Sequence, residues 1–149
     1  MNPKRILLVE DNDNDLELTL TALAKSHLGN EVDVARDGEE ALAYLERRGA
    51  HADRPDNDPV VVLLDLKLPK IDGLEVLQRM RDHATLRTVP VVMLTSSREE
   101  RDIVRSYGLG VNAYVVKPVD FNEFMDAIRE LGLFWAVINQ PPPRLRTPA

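Results

Sequence analysis

The residues of this chain best equipped for chemistry are carboxylates at the ends of apolar runs. Glu10 and Asp11 follow Ile6-Leu7-Leu8-Val9, and Asp65 closes Val61-Val62-Leu63-Leu64. If both runs are parallel strands of one sheet, the three acids meet at one edge. Like charges in a partly dry pocket then need raised pKa values or a compensating cation. Hard oxygen donors on a crowded acidic edge favour Mg²⁺, which keeps several waters and also binds phosphoryl oxygens. One of the acids can then act as a nucleophile, and a carboxylate that attacks phosphorus forms a mixed anhydride. Thr95 closes Val91-Val92-Met93-Leu94 and offers a hydroxyl donor. Lys117 closes Tyr114-Val115-Val116 and offers a point charge to phosphoryl oxygens. Positioning and charge neutralisation carry most of such a transfer. Each residue alone has an ordinary explanation: a solvated turn, a strand-end cap, a surface lysine. Their joint placement at four strand ends is the specific signal.

That placement requires a particular scaffold. Runs rich in Val, Ile and Leu occur at Arg5 to Glu10, Val60 to Asp65, Val89 to Thr95 and Ala113 to Lys117, with a weaker one at Glu31 to Ala35. Between them apolar residues recur at helical spacing: Leu16, Leu20, Leu23, Ala24 and Leu28, then Ala41, Leu42 and Leu45, then Leu74, Leu77 and Met80. Continuous apolar strands alternating with helices predict a doubly wound α/β domain, its parallel sheet covered on both faces. Ligands in that architecture sit beyond the C-terminal ends of the strands. Residues 49–59 lack periodicity and read as a polar, solvated loop. The proline-containing end, 140–149, cannot continue a helix and is set apart from a domain spanning 1–139.

Composition narrows the function. The chain has 149 residues, 44% hydrophobic and 30% charged, which suits one globular domain. No apolar run approaches membrane-spanning length, and the four apolar residues Ile6 to Val9, interrupted by Glu10 and Asp11, are too few for a signal-peptide core, so a cytoplasmic location is expected. Cysteine is absent, which excludes thiolate chemistry. His27, His51 and His83 stand singly, outside any metal-spaced pair. Residues 1–75 carry 17 acidic against 9 basic side chains, a net charge of −8, while 76–149 carry 8 against 10, or +2. Such a balance makes nucleic acid a poor partner and suits a cation site in the first half.

The motifs Ile6-Leu7-Leu8-Val9-Glu10-Asp11-Asn12, Leu64-Asp65-Leu66-Lys67-Leu68-Pro69 with Asp72-Gly73, Leu94-Thr95-Ser96-Ser97, and Tyr114-Val115-Val116-Lys117-Pro118 resemble those of two-component receiver domains. The resemblance spans about residues 4–139. It implies a five-stranded parallel sheet in the order 2-1-3-4-5, with Asp65 as phosphoacceptor. It further implies Glu10, Asp11, Asp65 and the Lys67 carbonyl as ligands of Mg²⁺, Lys117 as the phosphate-contacting cation, and a cis Lys117-Pro118 bond. Thr95 and Tyr114 become a switch pair: the hydroxyl moves to the phosphoryl group, the ring moves inward, and the surface of the fourth helix, fifth strand and fifth helix changes. Val119 replaces the phenylalanine common after that proline. The Lys67 side chain stands two residues past the acceptor, where it could tune hydrolysis or be merely exposed.

Three competing functions are weighed against this one. An aspartyl-phosphate hydrolase needs a second acid two residues after the nucleophile, where Lys67 stands. A P-loop nucleotide hydrolase needs a Gly-rich lysine loop that the sequence lacks. A phosphorylation-independent pseudo-receiver is disfavoured because every matched site residue is competent. With only a tail expected after residue 139, signalling by surface recognition is expected. The 49–59 loop, Lys117-Pro118-Val119 and the ending Phe134-Trp135-Ala136-Val137-Ile138-Asn139 resemble single-domain regulators partnered with bacterial phytochrome histidine kinases. Finally, Phe121, Phe124, Ile128, Leu131, Trp135 and Ile138 form a core-facing stripe, while Leu133, Phe134, Ala136 and Val137 fill the other directions. This predicts a homodimer through the C-terminal helix face, its register set by Arg98, Arg101, Arg105, Asp120 and Glu123.

Overall fold

The computed structural model describes residues 5–25, 31–54 and 58–130. Among them, strands and helices alternate as β1 (Arg5–Val9), α1 (Asp13–Lys25), β2 (Glu31–Ala35), α2 (Gly38–Leu45), β3 (Val61–Asp65), α3 (Gly73–Asp82), β4 (Val91–Thr95), α4 (Arg98–Ser106), β5 (Ala113–Val116) and α5 (Phe121–Glu130). The sheet is wholly parallel, in the order β2-β1-β3-β4-β5. This is the doubly wound arrangement expected, and the Lys117-Pro118 bond is cis.

Alternation along the buried strands divides the core in two. Ile6, Leu8, Val61, Leu63, Val92, Leu94 and Val115 point to the side covered by α1 and α5. Leu7, Val9, Val62, Leu64, Val91 and Met93 point to the side covered by α2, α3 and α4. β1 from Ile6, β3 and β4 are buried throughout, which is why these runs show no polar alternation. Burying one such aliphatic side chain contributes about 1.5–3 kcal/mol.

Each helix begins on the C-terminal side of the sheet, immediately after a capping side chain. Asn12, Asp37, Asp72, Ser97 and Asp120 accept hydrogen bonds from the amides of Asp15, Glu40, Glu75, Glu100 and Glu123 at 2.7–3.2 Å. A cap of this kind is worth about 1 kcal/mol. The turn into α3 is especially close to β3: a Cβ on Gly73 would lie 2.3 Å from the Asp65 carbonyl oxygen, so only glycine fits.

Two differences from the sequence expectation stand out. Residues 49–54 are not a free solvated loop. Gly49–His51 forms a 3₁₀ turn, His51 meets the Tyr44 ring edge-on at 5.3 Å, and the Arg54 guanidinium lies over that ring at 4.4 Å while donating to the Tyr44 carbonyl at 2.6 Å. The polar sequence hid an anchor whose partners lie in α2. Phe121, expected on the core stripe, is 36% exposed, whereas Phe124 and Ile128 are buried. It sits in the first turn of α5, beyond the end of β5. The apolar run 131–138 and the tail 140–149, together with that part of the dimer expectation, lie outside the described residues.

Candidate functional site

Four adjacent strands deliver four functional groups to one edge. Glu10 follows β1, Asp65 ends β3, Thr95 ends β4 and Lys117 follows β5. Glu10 and Thr95 are fully buried and Asp65 nearly so. The geometry is centred on Lys117, whose Nζ donates to Glu10 Oε1 at 3.2 Å, Asp65 Oδ2 at 3.1 Å and Asp15 Oδ2 at 3.0 Å. Asp15, in the first turn of α1, was not anticipated. It follows no strand, and its one sequence signal is its position three residues after the Asn12 cap.

Charge is unbalanced here. Desolvation, a side-chain hydrogen bond to Asp65 and the Asp65 charge push the Glu10 carboxyl up to about 7, against the pull of Lys117. Burial drags the Lys117 ammonium down, but Asp15, Asp65 and Glu10 outweigh it and hold the pKa above its ordinary value. One lysine cannot neutralise these acids and Asp11 as well. Oxygen atoms of Glu10, Asp11 and Asp65 lie within 4.8 Å of one another, Asp11 on the exposed side. A crowded all-oxygen donor set of this kind fits a hard divalent cation. Lys67 contributes its amide, which donates to Asp65 Oδ1 at 3.3 Å. That places the Lys67 backbone next to the cluster.

The loop after Asp65 is tied on both sides. Lys67 Nζ reaches Glu100 in α4 at 3.1 Å, rather than turning toward Asp65. Glu100 also accepts from the Ser96 amide, and that hydrogen bond, opposed by burial and supported by Lys67, holds its carboxyl below the ordinary value. Lys70, at φ +66°, reaches Asp37 at 3.4 Å and Glu39 at 3.8 Å before α2 and within it. A non-glycine residue in this backbone region costs about 1–2 kcal/mol, so these tethers hold a strained position.

On the next strands, Thr95 Oγ1 is buried without a hydrogen-bond partner, an orphan that would ordinarily cost about 1–3 kcal/mol. Tyr114 is half-buried on the same side of the sheet, and Arg105 lies over its ring. Arg105 was expected to face a second copy of the chain.

The family model for the response regulator receiver domain matches residues 6–129. This chain belongs to that family. Among curated receiver proteins, the response regulator Rcp1 of Synechocystis is 39% identical over 133 residues, covering 89% of each chain. The solved bacteriophytochrome response regulator AtBRR is 66% identical, with a TM-score of 0.88, covering 94% of this chain and all of its own. The phosphorylated cyanobacterial phytochrome response regulator RcpA is 40% identical, with a TM-score of 0.71, covering 96% and 100%. A solved form of Rcp1 carries Mn²⁺. Receiver domains bind a divalent metal at an acidic pocket and serve in signalling rather than in substrate turnover. Among the described residues no helix is long and apolar enough to cross a membrane.

Proposed function

We propose that this receiver, residues 1–139, accepts a phosphoryl group on Asp65 from the phosphohistidine of a sensor kinase. An Asp65 oxygen bonds to phosphorus as the phosphorus–nitrogen bond breaks, leaving an acyl phosphate and a neutral imidazole once the nitrogen is protonated. The observation that carries this reading is the convergence of Glu10, Asp65 and Lys117 beside the unpartnered Thr95 hydroxyl. Lys117 is placed to follow the phosphoryl oxygens, and Thr95 to donate to one of them. Glu10, Asp11, Asp65 and the Lys67 carbonyl would hold Mg²⁺, which supplies charge neutralisation for the transferring group. The Lys67 side chain, paired with Glu100, is assigned no role in transfer.

Phosphorylation then biases a two-state element. Thr95 moves to the phosphoryl group, Tyr114 follows inward, and the α4-β5-α5 surface changes for its reader. The protein's partner is read as a bacterial phytochrome histidine kinase in the cytoplasm, on the likeness to AtBRR and RcpA. Mixing the chain with a phosphorylated bacteriophytochrome kinase and timing transfer tests this. Transfer should be fast, should stop in chelator, and should outpace transfer from an unrelated kinase. Equal rates from both would remove the phytochrome assignment.

The chain is further proposed to form a homodimer through its C-terminal helix face. Arg98 and Arg101 of α4 line the same cleft as Glu123 and Asp126 of α5, giving this face rows of both signs that a two-fold axis could pair. A monomer in sedimentation at micromolar concentration, with and without phosphorylation, would contradict it.

A further inference from the structure

We propose that Arg105 is a positioning residue that holds the Tyr114 ring in its present half-buried place and so sets how readily the domain adopts its phosphorylated form. This rests on the reading of Thr95 and Tyr114 as a coupled pair.

Register places the two on one face of the sheet. Thr95 pairs with Val116 and Met93 with Tyr114, so the hydroxyl and the ring both lie on the side covered by α4. What holds α4 there is sparse. Val104 is its one fully buried residue, and the rest of Arg98–Ser106 is largely charged. The ring is not locked by packing on every side, because a cleft of about 380 Å³ lined by Arg105, Leu109, Ala113 and Tyr114 runs along it. Against that open side, the guanidinium carbon of Arg105 stands 5.2 Å from the ring centroid. Among the described residues no ion pair draws Arg105 elsewhere, in contrast to Lys67, which Glu100 holds at the other end of the helix.

A cation over an aromatic face is attracted by the ring quadrupole, and in an exposed setting this biases a two-state equilibrium by roughly two- to five-fold. The contact exists with the ring in its present place and is lost if the ring moves inward toward Thr95. Arg105 thus opposes the movement that phosphorylation requires. Whatever factor it contributes to the ring equilibrium must reappear, by linkage, in the affinity for a phosphoryl group or its analogue.

Beryllofluoride with Mg²⁺ serves as the probe on the full chain, its affinity read from titration while Thr95 and Tyr114 are followed by NMR. Arg105→Met keeps the aliphatic stem and removes the charge. It should bind beryllofluoride about two- to five-fold more tightly than wild type, and Arg105→Lys should fall between. In a Tyr114→Ala background the Arg105→Met gain should vanish, which a role of Arg105 in general stability would not produce. Equal affinities for wild type and Arg105→Met, with normal shifts at Thr95, overturn the proposal and leave the receiver reading intact. So does an undiminished gain without Tyr114. A wild-type protein that shows no change at Thr95 or Tyr114 with saturating beryllofluoride overturns both.

Discussion

At the N-terminal end of the strands, Arg81 directs all five of its N–H groups to fixed neutral acceptors. These are the carbonyls of Leu109, Arg87, Val89 and Gly110 at 2.9–3.1 Å and Asn112 Oδ1 at 3.3 Å. At the C-terminal end Lys117 stands among Glu10, Asp15 and Asp65, and Thr95 Oγ1 is buried without a partner. The first arrangement is saturated: every donor is used and the entries of β4 and β5 are stitched to α3. The second holds acids in excess and a hydroxyl unsatisfied, a conflict that a divalent cation and phosphoryl oxygens would resolve. The same ingredients, buried charge and hydrogen bonds, thus serve rigidity at one edge and responsiveness at the other. On the proposed function, stability is given up at the edge that would receive the phosphoryl group.

Breaking the saturated end should show the largest effect on stability. Arg81→Met removes five hydrogen bonds, four of them to backbone carbonyls, while Asn112 Oδ1 keeps the Val91 amide as a donor, and should cost about 2–4 kcal/mol in urea unfolding, with phosphoryl acceptance by the folded fraction unchanged. A loss under about 1 kcal/mol would show that water replaces the guanidinium readily, and the contrast between the two edges would weaken.

The site edge should respond in the opposite sense. Folded Glu10 titrates near 7 and the unfolded chain near the ordinary 4.5. Its contribution is fully present below about 4.5 and is lost as pH rises through about 7, where a second charge is forced beside Asp65. In chelator, wild type should therefore lose stability relative to Glu10→Gln across that window, while Lys117 stays protonated throughout. Parallel pH curves for the two proteins would contradict the charge conflict.

The smallest effect is expected at the Lys67–Glu100 pair, whose lysine is exposed. Glu100→Gln keeps an acceptor for the Ser96 amide and should change unfolding by no more than about 0.5 kcal/mol. A larger loss would mean that α4 depends on this tether more than on Val104.

Much of this was legible in the amino-acid order because strand burial is two-sided. Runs such as Val61-Val62-Leu63-Leu64 leave few alternatives, and acids at their ends are brought together by parallel topology alone. The strand expected from Val89 begins two residues later, after Pro90, which has no amide to donate; its carbonyl nevertheless accepts from Val62 at 2.9 Å. α4 escaped periodicity because a single buried valine makes no stripe. Its capping pattern, Ser97 followed three residues later by Glu100, was the signal available. Asp15, Arg81 and the Arg105–Tyr114 contact were not legible. Each joins different elements through a side chain whose direction only packing decides.

Asp65 is the centre of the proposed transfer, and intact mass measurement with a small phosphodonor and Mg²⁺ tests its role most directly. Wild type should gain one phosphoryl group, mapped to the peptide containing Asp65, and Asp65→Asn should gain none. Modification of Asp65→Asn to the wild-type extent would contradict the assignment.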